Sequence, residues 1–407
     1  MNSFLQRKLK EARQILGSGE FAGDEEALAC IENLIFQDPE ADCHPVEMLE
    51  QIIEKIFYKT RSRLGILKPL MEDPEITEIM VNGPEHIFLE RKGRLERCSL
   101  SFDSVEELEE ILRNIAAQVH REINELQPVV DARLADGSRV NGVYKNVALN
   151  GPILTIRKFS ESYMTMDSLI ASGSVSEEGA ALTECLIACG YNLFVSGGTS
   201  SGKTTFLNAL ADFIPSSERV IIVEDSSELK LSGVENVVHM ECRNSNTLGR
   251  GLVSMSQLIK ASLRMRPDRI VVGEVRGEEV LDMLQAMNTG HSGMSTGHGN
   301  SVEGMLQRLE TMYMMAMPLQ LDAVRSQISN ALDIMIHLER RDDGSRRVVE
   351  ICEISGCRDG HYELNPLMLR DETGNLKKTG NHLIHRRKLE LKGADYVHRL
   401  QSLGFIP

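Results

Sequence analysis

The chain has 407 residues, more than a single hydrophobic core usually serves, so we expect two or three domains. It carries 45 Lys and Arg against 60 Asp and Glu, an acidic balance that argues against a nucleic-acid coat and leaves only a local basic groove possible. The first residues are charged rather than targeting-like, and no apolar run could span a bilayer, so we expect any membrane role to go through a partner.

Residues 1–70 are predicted to form a helical N-terminal extension. Three groups of apolar residues repeat at helical spacing, namely Phe4, Leu5, Leu9 and Leu16, then Leu28, Ile31 and Ile35, then Met48, Leu49, Ile52, Ile53, Ile56 and Phe57. A glycine-rich break at 17–19 separates the first two groups. Residues 1–60 hold six Lys or Arg against twelve Asp or Glu, which is typical of either a docking appendage or a solvated helix bundle.

Residues 71–160 are predicted to form a small α+β domain. Alternating patterns predict strands at 76–81, 87–91, 129–134, 139–143 and 154–158. Between them, 104–119 has the apolar periodicity of a helix, with Ser104 as its N-cap. Residues 161–176 are rich in Ser, Met and Gly without strong periodicity, so we interpret them as a linker. From 177 onward, strands alternate with helices, which predicts a largely parallel sheet with crossover helices.

The eight cysteines are scattered along the chain. Cys185 and Cys189 are four residues apart, Cys352 and Cys357 are five apart, and neither pair has C-x-x-C spacing. We therefore expect buried, reduced thiols, with metal binding or a disulfide as the alternative.

The stretch Gly197-Gly198-Thr199-Ser200-Ser201-Gly202-Lys203-Thr204 fits G-x-x-x-x-G-K-[ST], the phosphate-binding loop. An apolar strand precedes it and a helix follows from Thr205, so bound phosphates would lie at a helix N-terminus. Lys203 would reach the outer phosphates, and the Thr204 hydroxyl would ligate Mg²⁺. We therefore predict that residues 197–205 bind ATP with Mg²⁺, the alternative being a Gly- and Ser-rich connector that matches by chance.

Two further apolar strands end in carboxylates. Val220–Val223 precedes Glu224, and Ile270–Gly273 precedes Glu274 in the form of a Walker B element. Carboxylates at the C-terminal ends of parallel strands lie where phosphates bind. Glu224 and Glu274 are thus candidate Mg²⁺ ligands and catalytic groups, and Glu274 could polarise the attacking water. For Glu224, a helix-capping acidic turn is the alternative.

His291 and His298 lie seven residues apart in the small polar stretch 289–300. This composition predicts a loop that contacts phosphate or relays the state of the γ-phosphate, which makes His298 a candidate catalytic residue. Zinc would need more than two ligands, and no third is nearby. An exposed or core histidine is the remaining alternative.

The order of these motifs resembles the Walker A, Asp box, Walker B and His box of the ATPases of type II and type IV secretion systems. The matching segments are 197–205, 223–229, 273–276 and 289–300. Upstream, Pro128–Asn141 and Leu154–Phe159 look like the CpaF branch, which powers tight-adherence (Flp-type) pilus assembly. Gly299 replaces the usual Ala of the family, and the tetracysteine zinc module of some type II members is absent from the sequence.

The resemblance implies an α/β fold with a RecA-like P-loop ATPase domain and C-terminal subdomain at 177–407. It also implies that the smaller α+β domain at 71–160 is PAS-like. Members act as cytoplasmic homo-oligomers, hexameric rings that bind ATP between the two domains and push on an inner-membrane platform protein. No direct contact with nucleic acid is expected.

Arg139 and Arg157 are candidate catalytic residues on strands of the small domain. If this domain closes over the nucleotide, their guanidinium groups could reach the γ-phosphate, where a planar fork can hold two oxygens. Arg133 is a third candidate. The alternative is that these are exposed strand arginines.

Four classes of function remain open from the sequence. The first is a motor ATPase of pilus assembly or secretion, and the second is a conjugation or effector-secretion ATPase of the same superfamily. The third is a nucleotide-binding scaffold with negligible turnover. The fourth, a DNA helicase, is disfavoured by the acidic charge.

Overall fold

A computed structural model describes residues 2–16, 23–91, 93–119, 121–159, 164–243 and 251–407. The chain divides into two compact units, residues 1–161 and residues 162–407. The glycine-rich break at 17–19 and the first residues of the predicted linker, 161–163, lie outside the described residues. Among the helices that are described, none combines the length and the apolar character that a membrane span requires.

The first unit begins with three helices at the positions that the apolar spacing predicts. These are α1 (Asn2–Leu16), α2 (Asp24–Phe36) and α3 (Val46–Arg61), and a short α4 (Lys68–Glu72) follows. Their apolar faces meet in one core, which includes Phe4, Leu5, Ile31, Ile35, Leu49, Ile52, Ile53 and Ile56. Burial of such faces stabilises short helices more than intrinsic propensity does.

The rest of the described part of this unit consists mainly of an antiparallel sheet of six strands and one helix. The strands are β1 (Ile76–Asn82), β2 (Ile87–Arg91), β3 (Arg94–Arg97), β4 (Val129–Arg133), β5 (Arg139–Val143) and β6 (Ile153–Arg157), in the order β3-β2-β1-β6-β5-β4. The helix α5 (Val105–Gln118) packs its apolar face into the sheet's core. The predicted N-cap is confirmed, because the Ser104 hydroxyl accepts a hydrogen bond from the Glu107 N–H at 3.3 Å.

The second unit alternates strands and helices. Its helices are α6 (Met166–Ala171), α7 (Glu177–Ala188), α8 (Lys203–Ala211), α9 (Met255–Ser262), α10 (Glu279–Asn288), α11 (Val302–Ala316), α12 (Leu321–Ala331), α13 (Arg387–Lys392) and α14 (Ala394–Ser402). Its strands are β7 (Leu193–Gly197), β8 (Val220–Glu224), β9 (Val237–Glu241), β10 (Arg269–Val272), β11 (Ser292–His298), β12 (Ile334–Arg340), β13 (Arg346–Arg358), β14 (His361–Arg370) and β15 (Leu376–Lys378).

Within the described residues these nine strands form one sheet, in the order β15-β14-β13-β12-β7-β11-β10-β8-β9. The strands from β12 to β9 pair in parallel, and β13 to β15 add antiparallel strands at one edge. Both faces of the parallel part are covered. On β8, Val220 and Ile222 join one core, while Ile221 and Val223 join the core on the opposite face. This two-sided burial explains the uninterrupted apolar runs.

The linker predicted for 161–176 is only partly correct. Met166–Ala171 forms the helix α6, and Met166, Leu169 and Val175 are buried in a core of the second unit. Thr165 caps α6 by accepting a hydrogen bond from the N–H of Ser168 at 3.2 Å. The six-residue helix is too short to show a periodic pattern, which is why the sequence did not indicate it.

Candidate active site

The phosphate-binding loop connects the end of β7 with the start of α8. Gly202 has a φ of 90° and Ser200 a φ of 58°, so two residues of the loop are in the left-handed region. A left-handed conformation at a serine is uncommon and typical of functional turns. At Gly197, an added Cβ would lie 2.5 Å from the carbonyl oxygen of Leu338, so a side chain cannot be accommodated there. This backbone geometry fits the anion-binding concavity predicted for the loop, and the binding itself remains a prediction.

Lys203 is the first residue of α8, and its side chain is buried over this loop. Its Nζ donates to the carbonyl oxygens of Gly198 at 2.9 Å and Gly197 at 3.2 Å, and only 7% of the residue is exposed. Burial lowers the pKa of the Lys203 ammonium, although Glu274 acts in the opposite direction. A bound phosphate would compensate this partly desolvated charge.

His298 is placed beside the loop by strand pairing. It is the last residue of β11, and the parallel register sets it opposite Gly197 of β7. The imidazole Nδ1 lies 3.2 Å from Nζ of Lys203, and Nε2 lies 2.9 Å from Oε1 of Glu274. Burial and then the charge of Lys203 lower the pKa of His298. The contact with Lys203 fits a neutral imidazole that accepts at Nδ1. The approach of Nε2 to Oε1 is a close contact without hydrogen-bond geometry, because Oε1 has no hydrogen-bond partner among the described residues.

Glu274 follows β10 at the same edge of the sheet. Its Oε2 accepts a hydrogen bond from Nη2 of Arg276 at 2.8 Å, and Arg276 also lies 3.8 Å from Oδ2 of Asp225. The carboxylate raises the pKa of Arg276. The structure thus joins Lys203, His298, Glu274 and Arg276 in one polar chain. The sequence alone assigns no role to Arg276, and the motif at 273–276 is the signal that could have shown one.

Thr296 fixes the backbone on both sides of Glu274. Its hydroxyl donates to the carbonyl oxygen of Gly273 at 2.7 Å, and its carbonyl oxygen accepts from the N–H of Val275 at 3.0 Å. Thr296 is buried on β11, two residues before His298. One strand therefore carries the histidine and also positions the carboxylate next to it.

The stretch 289–300 is mostly a strand, so the loop predicted for it is wrong. Residues 292–298 form β11, between β7 and β10 in the sheet. Its small residues reflect close packing, because an added Cβ at Gly293 would lie 2.5 Å from Met287 and one at Gly297 would lie 2.9 Å from Met305. His291 precedes the strand and His298 ends it, so about 23 Å separates them at normal strand rise. Of the two histidines, His298 is the one that contacts the loop.

Glu224 ends β8 and has a clear structural contact. Its Oε1 accepts hydrogen bonds from the N–H groups of Glu228 at 2.9 Å and Leu229 at 3.1 Å, and the residue is 3% exposed. Glu224 thus closes the turn 224–229, but no helix begins within these described residues, so the helix-capping alternative is not realised. Its side chain also lies against Gly273, where an added Cβ would be 2.9 Å from Cγ of Glu224. Its predicted catalytic and Mg²⁺ roles remain predictions.

The residues of the loop fit a nucleotide phosphate. Among the described residues, the hydroxyl of Ser201 is buried and has no hydrogen-bond partner, so it is available to a ligand. The predicted metal ligands Thr204, Glu224 and Glu274 would offer only oxygen atoms, the type of ligand that Mg²⁺ prefers. Thr204 lies in the first turn of α8, and both carboxylates follow strand ends of the same sheet.

The three candidate arginines of the first unit lie in one row across its sheet. Arg139 on β5 pairs directly with Arg133 on β4 and with Arg157 on β6. Directly paired residues point to the same face, and like charges in such positions repel each other. Arg157 is exposed and Arg139 is half-buried. Their approach to a nucleotide remains a prediction.

One contact of the phosphate-binding loop, between Ser200 and Arg346, could not be predicted from the local sequence pattern. Nε of Arg346, the first residue of β13, donates to the carbonyl oxygen of Ser200 at 3.1 Å. The two residues are 146 positions apart, and the strand order that brings them together is visible only in the folded sheet. The hairpin of β12 and β13 thus supports the phosphate-binding loop.

A phosphate-binding loop between a parallel strand and a helix, with a buried lysine, a histidine and a carboxylate at one sheet edge, defines a P-loop nucleotide-binding protein. Residues 60–388 match the family described as type II/IV secretion system protein, and the chain belongs to that family. The resemblance stated from the motifs is confirmed at this level. The closer likeness to the CpaF branch remains a prediction.

Relatives and solved structures agree with this assignment. The chain is 33% identical over 294 residues to a putative conjugal transfer protein of Mycobacterium tuberculosis, covering 70% of this chain and 83% of that protein. It is 33% identical over 316 residues to the type IV secretion system protein PtlH of Bordetella pertussis, covering 71% and 93% respectively. The structure of the pilus retraction motor PilT with bound ADP matches with a TM-score of 0.52 and 19% identity, covering 84% of this chain and 88% of that one. That likeness concerns the fold, and it confirms the predicted α/β, RecA-like class.

Proposed function

We propose that this protein is an ATPase that hydrolyses ATP with Mg²⁺ and drives a secretion or pilus-assembly machine. One observation carries the proposal, namely the chain of contacts from Lys203 through His298 to Glu274, beside a phosphate-binding loop. A scaffold that only binds nucleotide has no need of a carboxylate held next to the histidine and the lysine of the phosphate-binding loop. Family membership supports the same conclusion.

Each residue of the site has a role that its position suggests. The N–H groups of the loop hold the phosphates, and Lys203 compensates the charge of the outer ones. Mg²⁺, when bound, supplies neutralisation of the charge that develops on the phosphate oxygens. The Thr204 hydroxyl would hold it, and Glu224 is the further candidate ligand. Glu274 orients the attacking water and accepts its proton. Arg276 holds the carboxylate through Oε2, and Oε1, which lies next to His298 without a hydrogen-bond partner among the described residues, is the oxygen that can accept.

Movement would follow from the arginines of the first unit. Arg139 and Arg157 are directly paired on β5 and β6, and a planar guanidinium fork can hold two phosphate oxygens. We propose that they contact the γ-phosphate when ATP is bound and withdraw after hydrolysis. This coupling, the homohexameric ring and the inner-membrane platform partner are expected from the family resemblance.

Two machines are candidates for the one that this ATPase serves. The segments 128–141 and 154–159 favour a tight-adherence pilus. The relatives named for conjugal transfer and type IV secretion favour a transfer or effector-secretion channel. Deletion of the gene separates them, because the first predicts loss of surface pili and the second predicts loss of transfer or secretion with pili retained.

The test of the enzymatic proposal is phosphate release by the purified chain and by Lys203→Ala. We expect the variant to lose turnover almost completely, because the transition state loses contacts that are typically worth several kcal/mol. Lys392→Ala is the matched control, since Lys392 is exposed at the end of α13. Absence of phosphate release from the parent protein would instead favour the scaffold.

The proposed homohexameric ring is tested separately. Native mass spectrometry with and without ATP measures the number of subunits in the assembly.

A further inference from the structure

A cavity of about 530 Å³ lies in the second unit, apart from the residues of the phosphate-binding loop. Three segments line it, which are the connection between α6 and α7 at 170–176, the turn between β12 and β13 at 341–347, and the turn between β14 and β15 at 370–376. Its volume lies in the usual range of small-molecule sites. We name it the arginine cavity, after Arg341, Arg347 and Arg370, which all line it.

The arginine cavity concentrates positive charge. Among the described residues, none of its three arginines has a carboxylate oxygen within 4.0 Å, the distance at which ion pairs form elsewhere in the chain. One carboxylate, that of Asp343, also lines the cavity. Asp371 lies next in sequence to Arg370, but its carboxylate pairs with Lys377 at 2.7 Å. An anion that enters the cavity therefore meets more positive than negative charge.

Arg370 is held in place at a cost. Its Nε donates to the carbonyl oxygen of Val348 at 2.7 Å, and its Nη2 donates to that of Ser174 at 2.9 Å. Burial, and then the charges of Arg347 and Arg341, lower the pKa of Arg370 to about 10. A purely structural role, tying three segments together, accounts for Arg370. It does not account for two further guanidinium groups beside it.

Arg341 and Arg347 have hydrogen-bonding capacity to spare. Arg347 donates through Nη1 to the carbonyl oxygen of Ser172 at 2.6 Å, which uses one of its five N–H groups. No hydrogen bond from the side chain of Arg341 is found among the described residues, and Arg341 is exposed. Free planar forks beside a fixed guanidinium form a geometry that binds phosphate oxygens in pairs.

We propose that the arginine cavity binds a soluble, phosphate-bearing small molecule at a site distinct from the ATP site. The three guanidinium groups recognise the phosphate. Ser172, Ser345 and Asn375 offer polar groups, and Ile170, Val175 and Leu376 offer apolar surface for the rest of the ligand. This site goes beyond the proposed ATPase function, because it shares no residue with the phosphate-binding loop.

The test measures binding of inorganic pyrophosphate by calorimetry, without Mg²⁺, to the full chain carrying Lys203→Ala. That change weakens the other phosphate site, so the remaining binding reports the cavity. Adding Arg341→Glu, which alters an exposed side chain and does not endanger folding, should weaken binding at least ten-fold. Arg347→Ala should do the same, and Arg347→Lys should retain part of the affinity. Arg358→Ala is the control, because Arg358 lies exposed on β13 and pairs with Glu363.

A second arm separates a soluble ligand from a lipid headgroup. It measures co-sedimentation with vesicles of phosphatidylglycerol at the same ionic strength. The proposal expects pyrophosphate binding that depends on the arginines, and vesicle binding that does not change in Arg341→Glu. Pyrophosphate affinity that is equal in all variants, or equally reduced in Arg358→Ala, would overturn it. Vesicle binding that depends on the arginines, without pyrophosphate binding, would overturn it in favour of a lipid headgroup.

Discussion

Nδ1 of His298 lies 3.2 Å from Nζ of Lys203, at the point where β11 runs beside the first glycine of the phosphate-binding loop. A nucleotide that attracts the lysine ammonium would therefore change the hydrogen bond at one side of the imidazole. The other side of the ring faces Glu274. His298 is thus placed to connect phosphate binding with the state of the carboxylate.

Glu274→Gln should leave ATP binding nearly intact and lower turnover by about 10²-fold or more, the usual contribution of a general base. Gln keeps the size of the side chain and removes the basic oxygen. Phosphate release and nucleotide affinity, measured on the same preparation, check this. A turnover number close to that of the parent would show that Glu274 is not the base.

Glu224 allows its structural and catalytic roles to be separated. Glu224→Ala removes the acceptor of two backbone N–H groups and should lower the free energy of unfolding by about 1–3 kcal/mol. Glu224→Gln keeps an accepting oxygen, so its stability should stay close to that of the parent while turnover falls. Chemical denaturation and phosphate release distinguish the two effects. If Glu224→Gln hydrolyses ATP at the parent rate, the residue serves only the turn.

His298→Ala should reduce turnover more than it reduces ATP affinity. Lys203 keeps its loop contacts in this variant, but the link to Glu274 is lost, and one missing transition-state contact can cost about ten-fold or more in rate. Titration of a fluorescent ATP analogue, together with steady-state turnover, provides both numbers. A large loss of affinity with unchanged turnover per bound ATP would contradict the role of a sensor.

The lowered pKa of His298 predicts how stability depends on pH. Because the unfolded chain takes up the proton first, near the ordinary value of about 6.5, the contribution of His298 is complete above that pH and declines as the pH falls through the lower folded value. His298→Gln removes this contribution, whereas the lowered pKa values of His239 and of the buried His337 remain in both proteins. Unfolding free energies should therefore fall less steeply with acid in the variant. Identical slopes would contradict the prediction.

Arg139→Ala and Arg157→Ala should each lower ATPase activity by at least about ten-fold while ATP binding persists. This minimum lies well below the contribution of an arginine finger, which can reach about 10³-fold or more. Lysine should restore little, because it lacks the planar fork. Arg97→Ala is the matched control, since Arg97 is exposed on the edge strand β3 of the same sheet. Near-parent rates in both variants would mean that the arginine row serves only the fold or its surface.

The sequence predicted the elements whose signals are local. The strand that leads to Gly197, the helix after the loop, the strand that ends at Glu224 and the strand that ends at Val272, two residues before Glu274, all combine apolar runs with a motif, and they are confirmed. The expectation of buried thiols holds for Cys185, Cys189 and Cys352 and is wrong for the other cysteines, of which Cys43 is exposed. Burial raises the pKa of Cys185 to about 11 and of Cys189 to about 12. These thiols are unreactive at neutral pH.

The sequence failed where long-range packing decides the local conformation. The glycines of β11 give it the composition of a loop, yet Met287, Met305 and Phe194 fill the space beside them and keep the segment extended. The contacts of His298 depend on the register of β11 against β7, and the row of arginines depends on the register of three strands. The local sequence pattern predicts neither register, because turns and pairing partners determine the register of a strand.

The contact between Arg346 and Ser200 affects where the nucleotide-binding portion of the chain can be taken to end. All four recognisable motifs lie before residue 301, so a fragment ending near residue 330 would contain every one of them. Such a fragment would lack β12, whose Leu338 carbonyl lies against Gly197, and would lack Arg346 of β13. It would also expose the unpaired edge of β7, which invites association with other chains. The smallest piece of this protein that can be studied as an independent nucleotide binder therefore extends through β13, well past its last motif.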